Sequence, residues 1–424
     1  MPDRPPPFST AAIIAVGSEL LTPFRSDTNS LAITSRLNDV GVTVVLKQIV
    51  GDVHADLALA FRQALDRADL VVLTGGLGPT SDDVTRPVVA DVLGLPLETD
   101  VRLLERIRGR FAARGLDMPA VNRVQAEVPR GAVLLPNANG TAPGLWIEIG
   151  HRAAVLLPGP PREMAPMLDA VVQERIAPRG SGNRVYRRVL RVAGLTESQV
   201  ESAAQPVYAR FASGDVPVST SILAAPGQVE LHLSATCNDE REAHTALDRA
   251  GRDLAAVLGV HLFSSDGRPL EAVVGGLLAA RRWRIALAES CTGGLTLSRL
   301  TDVPGSSGWV DRGVVCYSNR AKVELAGVAV DLIERHGAVS EPVARAMADG
   351  IRVRSGVEVG VGITGIAGPG GGSEEKPVGT VAIAVACPHG ATVRTFRFLG
   401  RREQVKWQSA QAALDMVRRV LGEP

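Results

Sequence analysis

The stretch LVVLTGGLGPTSDD (Leu70–Asp83) indicates the fold class of the first half of the chain. Four apolar residues and Thr74 predict a short buried strand, and the glycines that follow directly predict a tight turn. The flanking sequence alternates in the same way, with strand-like patterns at Ala11–Val16 and Val42–Val50 and a helix-like pattern at Ala55–Arg67. Strands that alternate with helices are typical of βαβ units, so we predict a parallel sheet covered by helices.

A second strand-to-loop stretch, RIALAESCTGG (Arg284–Gly294), opens the same α/β pattern near the other end of the chain. Between the two lie a Gly/Pro/polar run at Ala177–Asn183, which is typical of a linker, and a short block with a mixed α+β pattern. We therefore predict two α/β three-layer domains, at residues 1–178 and 265–424, joined by a small α+β module at residues 183–262.

Composition excludes several classes of protein. The 424 residues are 45% hydrophobic, which is enough for more than one large core. Lys and Arg total 46 against 45 Asp and Glu, and this balance excludes a general electrostatic grip on nucleic acid or an anionic membrane. The four cysteines are too scattered for a zinc or disulfide framework, and no apolar stretch reaches the roughly 20 residues of a membrane span. Met1–Pro7 lacks the apolar segment of a secretory signal, so we expect a cytoplasmic protein.

Glycines and carboxylates gather at the predicted strand ends of the first domain. Glycines let backbone N–H groups approach a phosphate closely, and neighbouring carboxylates supply the hard oxygen ligands that a divalent metal prefers. The glycines are Gly75, Gly76 and Gly78, and the candidate metal ligands are Glu19, Asp27, Asp82 and Asp83. The structural alternative is a tight turn followed by a helix-capping acid, which is a common use of both residue types.

Ser290 lies in the last domain where a buried strand leads into a helix, a corner that exposes its hydroxyl near the helix N-terminus. The positive end of the helix dipole would favour negative charge that develops there. The sequence is not GxSxG and no acid–His pair follows it, so the base must come from elsewhere. Lys322 is the candidate if desolvation lowers its pKa, because only a neutral amine accepts the serine proton. Tyr317 could relay or position that proton.

Two alternatives stay open for this cluster. A single helical lysine is more often solvated than catalytic, so Lys322 taken alone favours the structural interpretation. Cys291 competes with Ser290 as the nucleophile, because a thiol beside a helix N-terminus can have a lowered pKa. A small buried hydrophobic residue is the structural explanation of the same cysteine.

A long glycine loop, TGIAGPGGG (Thr364–Gly372), follows another predicted strand of the last domain. It is not a P-loop, because GxxxxGK[ST] is absent, but exposed backbone N–H groups there could cradle an oxyanion or a phosphate. A flexible surface loop is the alternative. Arg402, at the start of the last helix, either binds phosphate bidentately or is solvated.

These motifs resemble the CinA family of competence/damage-inducible proteins over nearly the whole chain. The motifs of the first domain, which look like a molybdopterin-binding-type domain, are GSELL (Gly17–Leu21), DTNS (Asp27–Ser30) and GGLGPTSDDVT (Gly75–Thr85). Those of the last domain are ESCTGG (Glu289–Gly294), YSNRAK (Tyr317–Lys322), HGAVSEP (His336–Pro342), TGIAGPGGG and EEKPVGT (Glu374–Thr380). The middle block resembles the family's KH-type module, although it has no GxxG loop that we can place, so we do not infer RNA binding.

The resemblance implies that the last domain hydrolyses the amide of nicotinamide mononucleotide, giving nicotinic acid mononucleotide and ammonia without a cofactor. Carried over position by position, Ser290 would be the nucleophile, assisted by Lys322 and Tyr317. The implied substrate-binding residues are Thr292, Gly293, Thr364, Gly365 and Arg402, with Arg402 at the phosphate. Arg401 departs from the family, which usually has an acidic residue at that position.

For the first domain, the resemblance implies cleavage of ADP-ribose to AMP and ribose 5-phosphate with a divalent metal. The sequence departs from the family at Thr22–Arg25, which replaces a segment that usually reads closer to LGQI. The alternative is therefore a nucleotide- or pterin-binding first domain without turnover. The resemblance also suggests a homodimer, and the expected partners are small nucleotides rather than nucleic acid or membranes.

Overall fold

The structure, a computed structural model, describes residues 7–180 and 182–422. It divides into two compact units, Met1–Tyr186 with Thr236–Ala243, and Arg187–Ala235 with His244–Pro424. Residues 1–6 of the segment examined for a secretory signal, and Ser181 of the predicted linker, lie outside the described residues. Within the described ranges, no helix is both long and apolar enough to cross a membrane.

The first unit is built on a six-stranded mixed sheet with helices on both faces. Its strands are β1 (Thr10–Val16), β2 (Thr43–Val50), β3 (Leu70–Thr74), β4 (Leu97–Thr99), β5 (Glu127–Pro129), β6 (Val133–Leu135), β7 (Gly144–Ile149) and β8 (Arg152–Leu157). Its helices are α1 (Asn29–Asn38), α2 (His54–Arg67), α3 (Thr85–Leu93), α4 (Val101–Ala112) and α5 (Pro161–Val171). The large sheet has the order β2-β1-β3-β8-β7-β6, and β4 pairs with β5 separately.

The prediction of a parallel sheet holds for β2, β1, β3 and β8 but is wrong for β6 and β7. Ile149 of β7 pairs directly with Arg152 of β8, so only two residues connect the strands. A two-residue connection can form only an antiparallel hairpin, because a parallel pair needs a long crossover.

Strand β1 shows how this sequence produces three layers. Successive residues of a strand point to opposite faces, so Ile14 packs into a core with Phe61 of α2, whereas Ile13 packs into the opposite core with Ile33 of α1. All four side chains are fully buried. The predicted three-layer α/β architecture is confirmed for this unit.

A smaller α+β module follows the linker. Its elements are β9 (Arg184–Val192), α6 (Glu197–Tyr208), β10 (Val218–Ala225), β11 (Gln228–Cys237), α7 (Glu240–Leu258) and β12 (Leu262–Ser264). The sheet order is β10-β11-β9-β12. β10 and β11 form the expected hairpin around Pro226-Gly227, with Ala225 paired to Gln228.

The remainder of the second unit contains a five-stranded sheet of order β14-β13-β15-β16-β17. The strands are β13 (Ile285–Glu289), β14 (Val310–Val315), β15 (Val359–Gly365), β16 (Thr380–Cys387) and β17 (Gly390–Arg397). The helices are α8 (Leu270–Arg281), α9 (Leu295–Thr301), α10 (Asn319–Ala326), α11 (Val330–His336), α12 (Glu341–Ser355) and α13 (Arg402–Gly422). β14, β13 and β15 are parallel, whereas the β16–β17 hairpin, which sequence reasoning missed, is antiparallel.

Helices cover both faces of this sheet as well. Leu287 of β13 packs in one core with Leu278 of α8 and Leu414 of α13, and Ala288 of the same strand packs in the opposite core with Met347 of α12. The three parallel strands therefore end at one edge of a covered sheet, which is where α/β proteins place their ligands.

Candidate functional site

Ser290 lies at this edge, directly after β13. Its backbone N–H donates to the carbonyl of Ile363 in β15 at 2.9 Å, and the N–H of Cys316 after β14 donates to the carbonyl of Glu289 at 2.7 Å. The two neighbouring strands thus hold the backbone on both sides of the serine. Ser290 is buried, so its hydroxyl lies in a rigid and largely dry corner.

Lys322 contacts this hydroxyl. Its Nζ lies 3.2 Å from Ser290 Oγ and donates to the carbonyl of Cys316 at 3.1 Å. Ser318 begins α10 by accepting the N–H of Ala321 on its side chain, which fixes the helix turn that carries the lysine. Lys322 is only 2% exposed. The interpretation as a solvated helical lysine is wrong.

Burial lowers the pKa of Lys322 from its ordinary value of 10.5, because the charged ammonium loses its hydration. In the described part of the chain, no carboxylate forms an ion pair with this amine to counteract the effect. A neutral amine within hydrogen-bond distance of a serine hydroxyl is able to accept its proton.

Cys291 is buried beside the pair, and burial raises the pKa of its thiol to about 12. The thiol is therefore protonated at neutral pH, whereas the nucleophilic form of a cysteine is the thiolate. These properties fit the structural explanation of Cys291 and favour Ser290 as the nucleophile.

The expectation that the helix after the serine directs its N-terminus at Ser290 is wrong, because Glu289 occupies that position. Its carboxylate is 1% exposed and accepts the N–H groups of Gly294, Thr296 and Leu297 at 3.2, 3.1 and 2.8 Å. The N-terminal N–H groups of α9 are thus directed at a carboxylate inside the protein rather than at Ser290. Glu289 closes the loop between β13 and α9 and fixes the position of the serine within it.

Thr292 and Gly293 belong to this closed loop. Thr292 is fully buried, and its hydroxyl has no hydrogen-bond partner among the described residues. Gly293 has φ +64° and Gly294 has φ +90°, a left-handed backbone that glycine adopts without steric strain. The loop therefore combines a tight reversal with a buried hydroxyl that has no partner among the described residues, two positions after Ser290.

The other predicted substrate residues make separate contacts. Arg402 donates to the carbonyl of Gly368 at 2.7 Å and to the hydroxyl of Tyr317 at 2.9 Å. The hydroxyl of Thr364 donates to the carbonyl of Ala338 at 2.8 Å. Tyr317 is 63% exposed, and among residues 7–180 and 182–422 no hydrogen bond joins it to Ser290 or Lys322.

Gly365 has a packing role at the end of β15. A Cβ at this position would lie 2.9 Å from the carbonyl oxygen of Thr380 and would meet Val381. The adjacent strand therefore explains the absence of a side chain there.

Six of the seven predicted residues of the first unit line a pocket of about 370 Å³ at the ends of β1, β3 and β8. The predicted residues that line it are Glu19, Gly75, Gly76, Gly78, Asp82 and Asp83. A Cβ on Gly75, which has φ +104°, would collide with the carbonyl of Val16, so the close approach of these two strand ends requires glycine. Strand β2 lies on one side of β1, and β3, the next strand along the chain, lies on the other side. This reversal of strand order is the switch point where such sheets bind ligands.

The four predicted metal ligands do not form one group, because Asp27 is not part of the pocket that Glu19, Asp82 and Asp83 line. Asp83 accepts the N–H of Gly78 at 2.7 Å and both the N–H and hydroxyl of Thr80 at 2.8 and 2.6 Å. Asp27 accepts the N–H of Ser30 at 2.9 Å in the first turn of α1. Among the described residues, no group of three or more His, Cys, Asp or Glu side chains is placed to hold a metal. The four carboxylates therefore do not fit a shared metal site.

Similarity to known proteins identifies the family of this chain. The probable molybdopterin binding domain matches residues 12–178, the damage-inducible protein CinA KH domain 187–264 and the CinA C-terminal domain 267–421. A CinA-like protein from Koribacter versatilis is 47% identical over 415 residues, which cover 97% of this chain and 99% of that protein. The chain belongs to the CinA family. The resemblance expected from the motifs is confirmed.

Other CinA-family relatives extend this similarity. A putative competence-damage inducible protein from Symbiobacterium thermophilum is 43% identical over 423 residues, which cover 97% of this chain and 98% of that protein. A crystal structure of a competence/damage inducible protein from Agrobacterium tumefaciens is 38% identical, covers 36% of this chain and 94% of that chain, and has a TM-score of 0.35.

Sequence reasoning missed three residues that shape the sites of this CinA-family chain. Buried Arg86 donates to the carbonyls of Leu77 and Gly78 at 2.8 and 3.2 Å and so stabilises the glycine loop of the first unit. Asp52 also lines the first pocket, and its position two residues after the end of β2 was the signal. Glu289 was quoted in a motif without a role, although a carboxylate that ends a buried strand must find N–H partners.

Proposed function

We propose that the second unit hydrolyses the carboxamide of nicotinamide mononucleotide, releasing ammonia and nicotinic acid mononucleotide, with Ser290 as the nucleophile. The observation that carries this proposal is the 3.2 Å approach of Lys322 Nζ to Ser290 Oγ in a buried corner where burial lowers the lysine pKa. Membership of the CinA family supports the choice of substrate through the resemblance described above.

The first half-reaction forms an ester. Neutral Lys322 accepts the proton of Ser290 as the oxygen attacks the carboxamide carbon. The resulting tetrahedral intermediate expels the amide nitrogen, which takes a proton from the Lys322 ammonium and leaves as ammonia. The nicotinoyl group then remains on Ser290 as an acyl-enzyme, and Lys322 is neutral again.

The second half-reaction regenerates the serine. Lys322 removes a proton from a water molecule that attacks the ester carbon. Collapse of the second tetrahedral intermediate breaks the bond to Ser290 Oγ, which recovers its proton from the lysine. The balance is one water consumed and one ammonia released, and neither half-reaction requires a redox change or a cofactor.

Binding groups surround the pair. The hydroxyl of Thr292 has no partner among the described residues but is fully buried, so we assign it no direct contact with the substrate. Arg402 uses two of its five N–H groups on Gly368 and Tyr317 and keeps the others for a phosphate. Thr364 donates a hydrogen bond to Ala338, and Tyr317 accepts one from Arg402. We therefore assign positioning roles to Thr364 and Tyr317.

The test is product analysis with the full chain and nicotinamide mononucleotide. We expect ammonia and nicotinic acid mononucleotide in equal amounts, at rates that a metal chelator does not change. The control is Lys47→Gln, an exposed lysine on β2 of the first unit, which should behave as the wild type. Release of free nicotinamide instead of ammonia would overturn the proposal, since it would show cleavage of the glycosidic bond.

A second function is favoured by the pocket of the first unit. We propose that this 370 Å³ pocket, with five glycines and the ends of three parallel strands at its wall, binds a phosphorylated nucleotide or a pterin. Calorimetric titration with ADP-ribose, with and without a chelator, tests binding, and AMP release tests turnover. Binding without AMP supports the binding role, whereas metal-dependent AMP release lost in Asp82→Ala would support pyrophosphatase activity instead.

A further inference from the structure

Arg299 is a buried cation in α9, the helix that follows the nucleophile. It is 6% exposed, and its Nη2 contacts the carboxylate of Glu271 on α8 and the side-chain oxygen of Gln411 on α13, both at 2.7 Å. The guanidinium also lies over the ring of Trp407 on α13, 4.6 Å from the ring centroid. Its Nε and Nη1 are buried without a hydrogen-bond partner among the described residues. One side chain therefore joins three helices of the second unit.

Stability alone does not account for a charged residue at this position. A buried ion pair commonly stabilises a fold no better than apolar side chains of the same volume, and buried donors without a partner add a desolvation cost. An apolar side chain could fill the space, but it could not bind both Trp407 and Gln411 in one orientation. The arginine therefore fixes the placement of α13 relative to α9 at a cost in stability.

The same two residues of α13 contact the β10–β11 hairpin of the small α+β module. The indole N–H of Trp407 donates to the carbonyl of Pro226 at 3.1 Å, and the side-chain amide of Gln411 donates to the side-chain oxygen of Gln228 at 3.0 Å. Gly227, the residue between Pro226 and Gln228, has φ +77°, and a Cβ there would lie 2.9 Å from Cγ of Gln411. The turn of the hairpin is therefore packed directly against α13.

Both helices joined by Arg299 also border the loop at residues 290–294, which holds Ser290 and is called the nucleophile loop below. Glu289 accepts three N–H groups at the start of α9, and α9 carries Arg299. From α13, Nζ of Lys406 lies 3.6 Å from the position that a Cβ on Gly293 would occupy. A continuous set of contacts therefore runs from the hairpin turn to the nucleophile loop.

We propose that Arg299 and Trp407 are positioning residues of the amidase, through which the β10–β11 hairpin fixes the nucleophile loop. The inference rests on the proposed function and gives the small α+β module a role in the reaction. Within the described ranges no hydrogen bond joins either residue to Ser290 or Lys322, so both act through the placement of α9 and α13. Misplacement of reacting groups by 1 Å can lower a rate about a hundredfold, so a small shift of the loop should appear in kcat.

The first test is steady-state kinetics of the full chain with nicotinamide mononucleotide, with rates expressed per mole of folded enzyme. In Arg299→Gln we expect kcat to fall about tenfold and KM to change less than about twofold, because the loss concerns the nucleophile rather than substrate binding. Arg299→Lys keeps the charge beside Glu271 and should recover part of kcat. A purely structural role would lower the folded fraction alone, so an unchanged kcat in Arg299→Gln overturns the proposal.

Gly227→Ala tests the same contacts from the hairpin, without removing a buried charge. The added Cβ strains a left-handed backbone and displaces the turn from Gln411. Gly356→Ala is the matched control. Gly356 has φ +63° and ends α12 at the opposite edge of the sheet, and among the described residues an added Cβ would meet nothing within 4 Å beyond its chain neighbours. Both variants should lower the temperature of thermal unfolding, and only Gly227→Ala should lower kcat. Equal kcat in the two variants overturns the proposal.

Hydrogen exchange of residues 290–297 separates this proposal from the proposed function, because it requires no substrate. Trp407→Phe keeps an aromatic ring for Arg299 but loses the N–H that is donated to Pro226. We expect faster exchange of these residues in Trp407→Phe than in the wild type or Gly356→Ala, and unchanged exchange overturns the proposal. If the wild type releases no ammonia, the amidase function fails and the role in its reaction fails with it, whereas faster exchange still establishes that Trp407 fixes the loop.

Discussion

The glycine-lined pocket of the first unit and the serine corner of the second are both built where parallel strands end, yet their polar side chains are used differently. In the first pocket, the carboxylate of Asp83 is committed to N–H and hydroxyl groups of its own loop. In the second, Glu289 takes over the corresponding structural task. Ser290 and Lys322 are thereby left to contact each other.

This difference shows what separates a braced loop from a reactive one. A carboxylate that accepts several local N–H groups is stabilised as an anion and has little left to offer a ligand. A buried lysine without an acidic partner is destabilised as a cation, and that instability makes it a base. Reactivity in this protein is therefore expected where a charge is left uncompensated, and four experiments test that expectation.

The largest effect is expected for Lys322→Met. Removal of a general base commonly costs 10²- to 10⁴-fold, so we expect ammonia release to fall about a thousandfold. The temperature of thermal unfolding should rise or stay unchanged, because methionine fits a buried site without the desolvation cost of an amine. A variant that unfolds more easily and keeps its activity would contradict the role of Lys322.

Glu289→Gln tests the structural counterpart in the same unit. One carboxylate oxygen becomes an NH₂ group that faces backbone N–H groups, and each buried donor left without a partner costs about 1–3 kcal/mol. We expect the free energy of unfolding of the second unit, measured in urea, to fall by that amount. Activity should also fall, because Ser290 loses its fixed position. Glu289→Asp is the matched variant that keeps the charge but shortens the reach.

In the first unit, Asp83→Ala and Asp82→Ala form a matched pair. Asp83 accepts three hydrogen bonds, so its loss should destabilise the loop by about 1–2 kcal/mol. Asp82 is exposed, and a hydrogen bond from the Thr80 side chain lowers the pKa of its carboxyl, so its substitution should destabilise the loop less than that of Asp83. Hydrogen exchange of residues 75–84 measures the difference, and equal protection in the two variants would refute the bracing role of Asp83.

The pH dependence of activity provides the smallest but most specific effect. Protonated Lys322 cannot accept a proton, so kcat/KM should rise about tenfold per pH unit below its pKa and level off above it. Because burial lowers that pKa, the bend should lie below 10.5. A profile that is flat through the range where the protein is folded would show that Lys322 is not the base.

Sequence reasoning succeeded where a residue's place in a strand–loop–helix pattern determined its surroundings. Ser290 and Lys322 follow adjacent parallel strands, so their proximity follows from strand order. Asp27 and Asp83 could not be assigned in the same way, because an acid at a strand end satisfies its charge equally well on local N–H groups or on a ligand. The role of Glu289 depends on where α9 begins in space, and pattern alone does not contain that distance.

The two α/β domains show the same limit at the level of topology. The alternation of strands and helices predicted the layers but not the β7–β8 and β16–β17 hairpins. The first turn has glycine at its first position, a hairpin signal that was not used, and the second turn has no glycine or asparagine. Gly150-His151 and Pro388-His389 occupy those turns. Without a clear turn signal, the sequence does not show that two strands are joined by so short a connection, and therefore does not show that they are antiparallel.

The most direct test of the central claim compares ammonia release from nicotinamide mononucleotide by the wild type, Ser290→Ala and Cys291→Ala under identical conditions. The account predicts no release above background from Ser290→Ala and release within about tenfold of wild type from Cys291→Ala, since a protonated buried thiol takes no part in the reaction. Retained activity in Ser290→Ala, or complete loss in a folded Cys291→Ala, would contradict it.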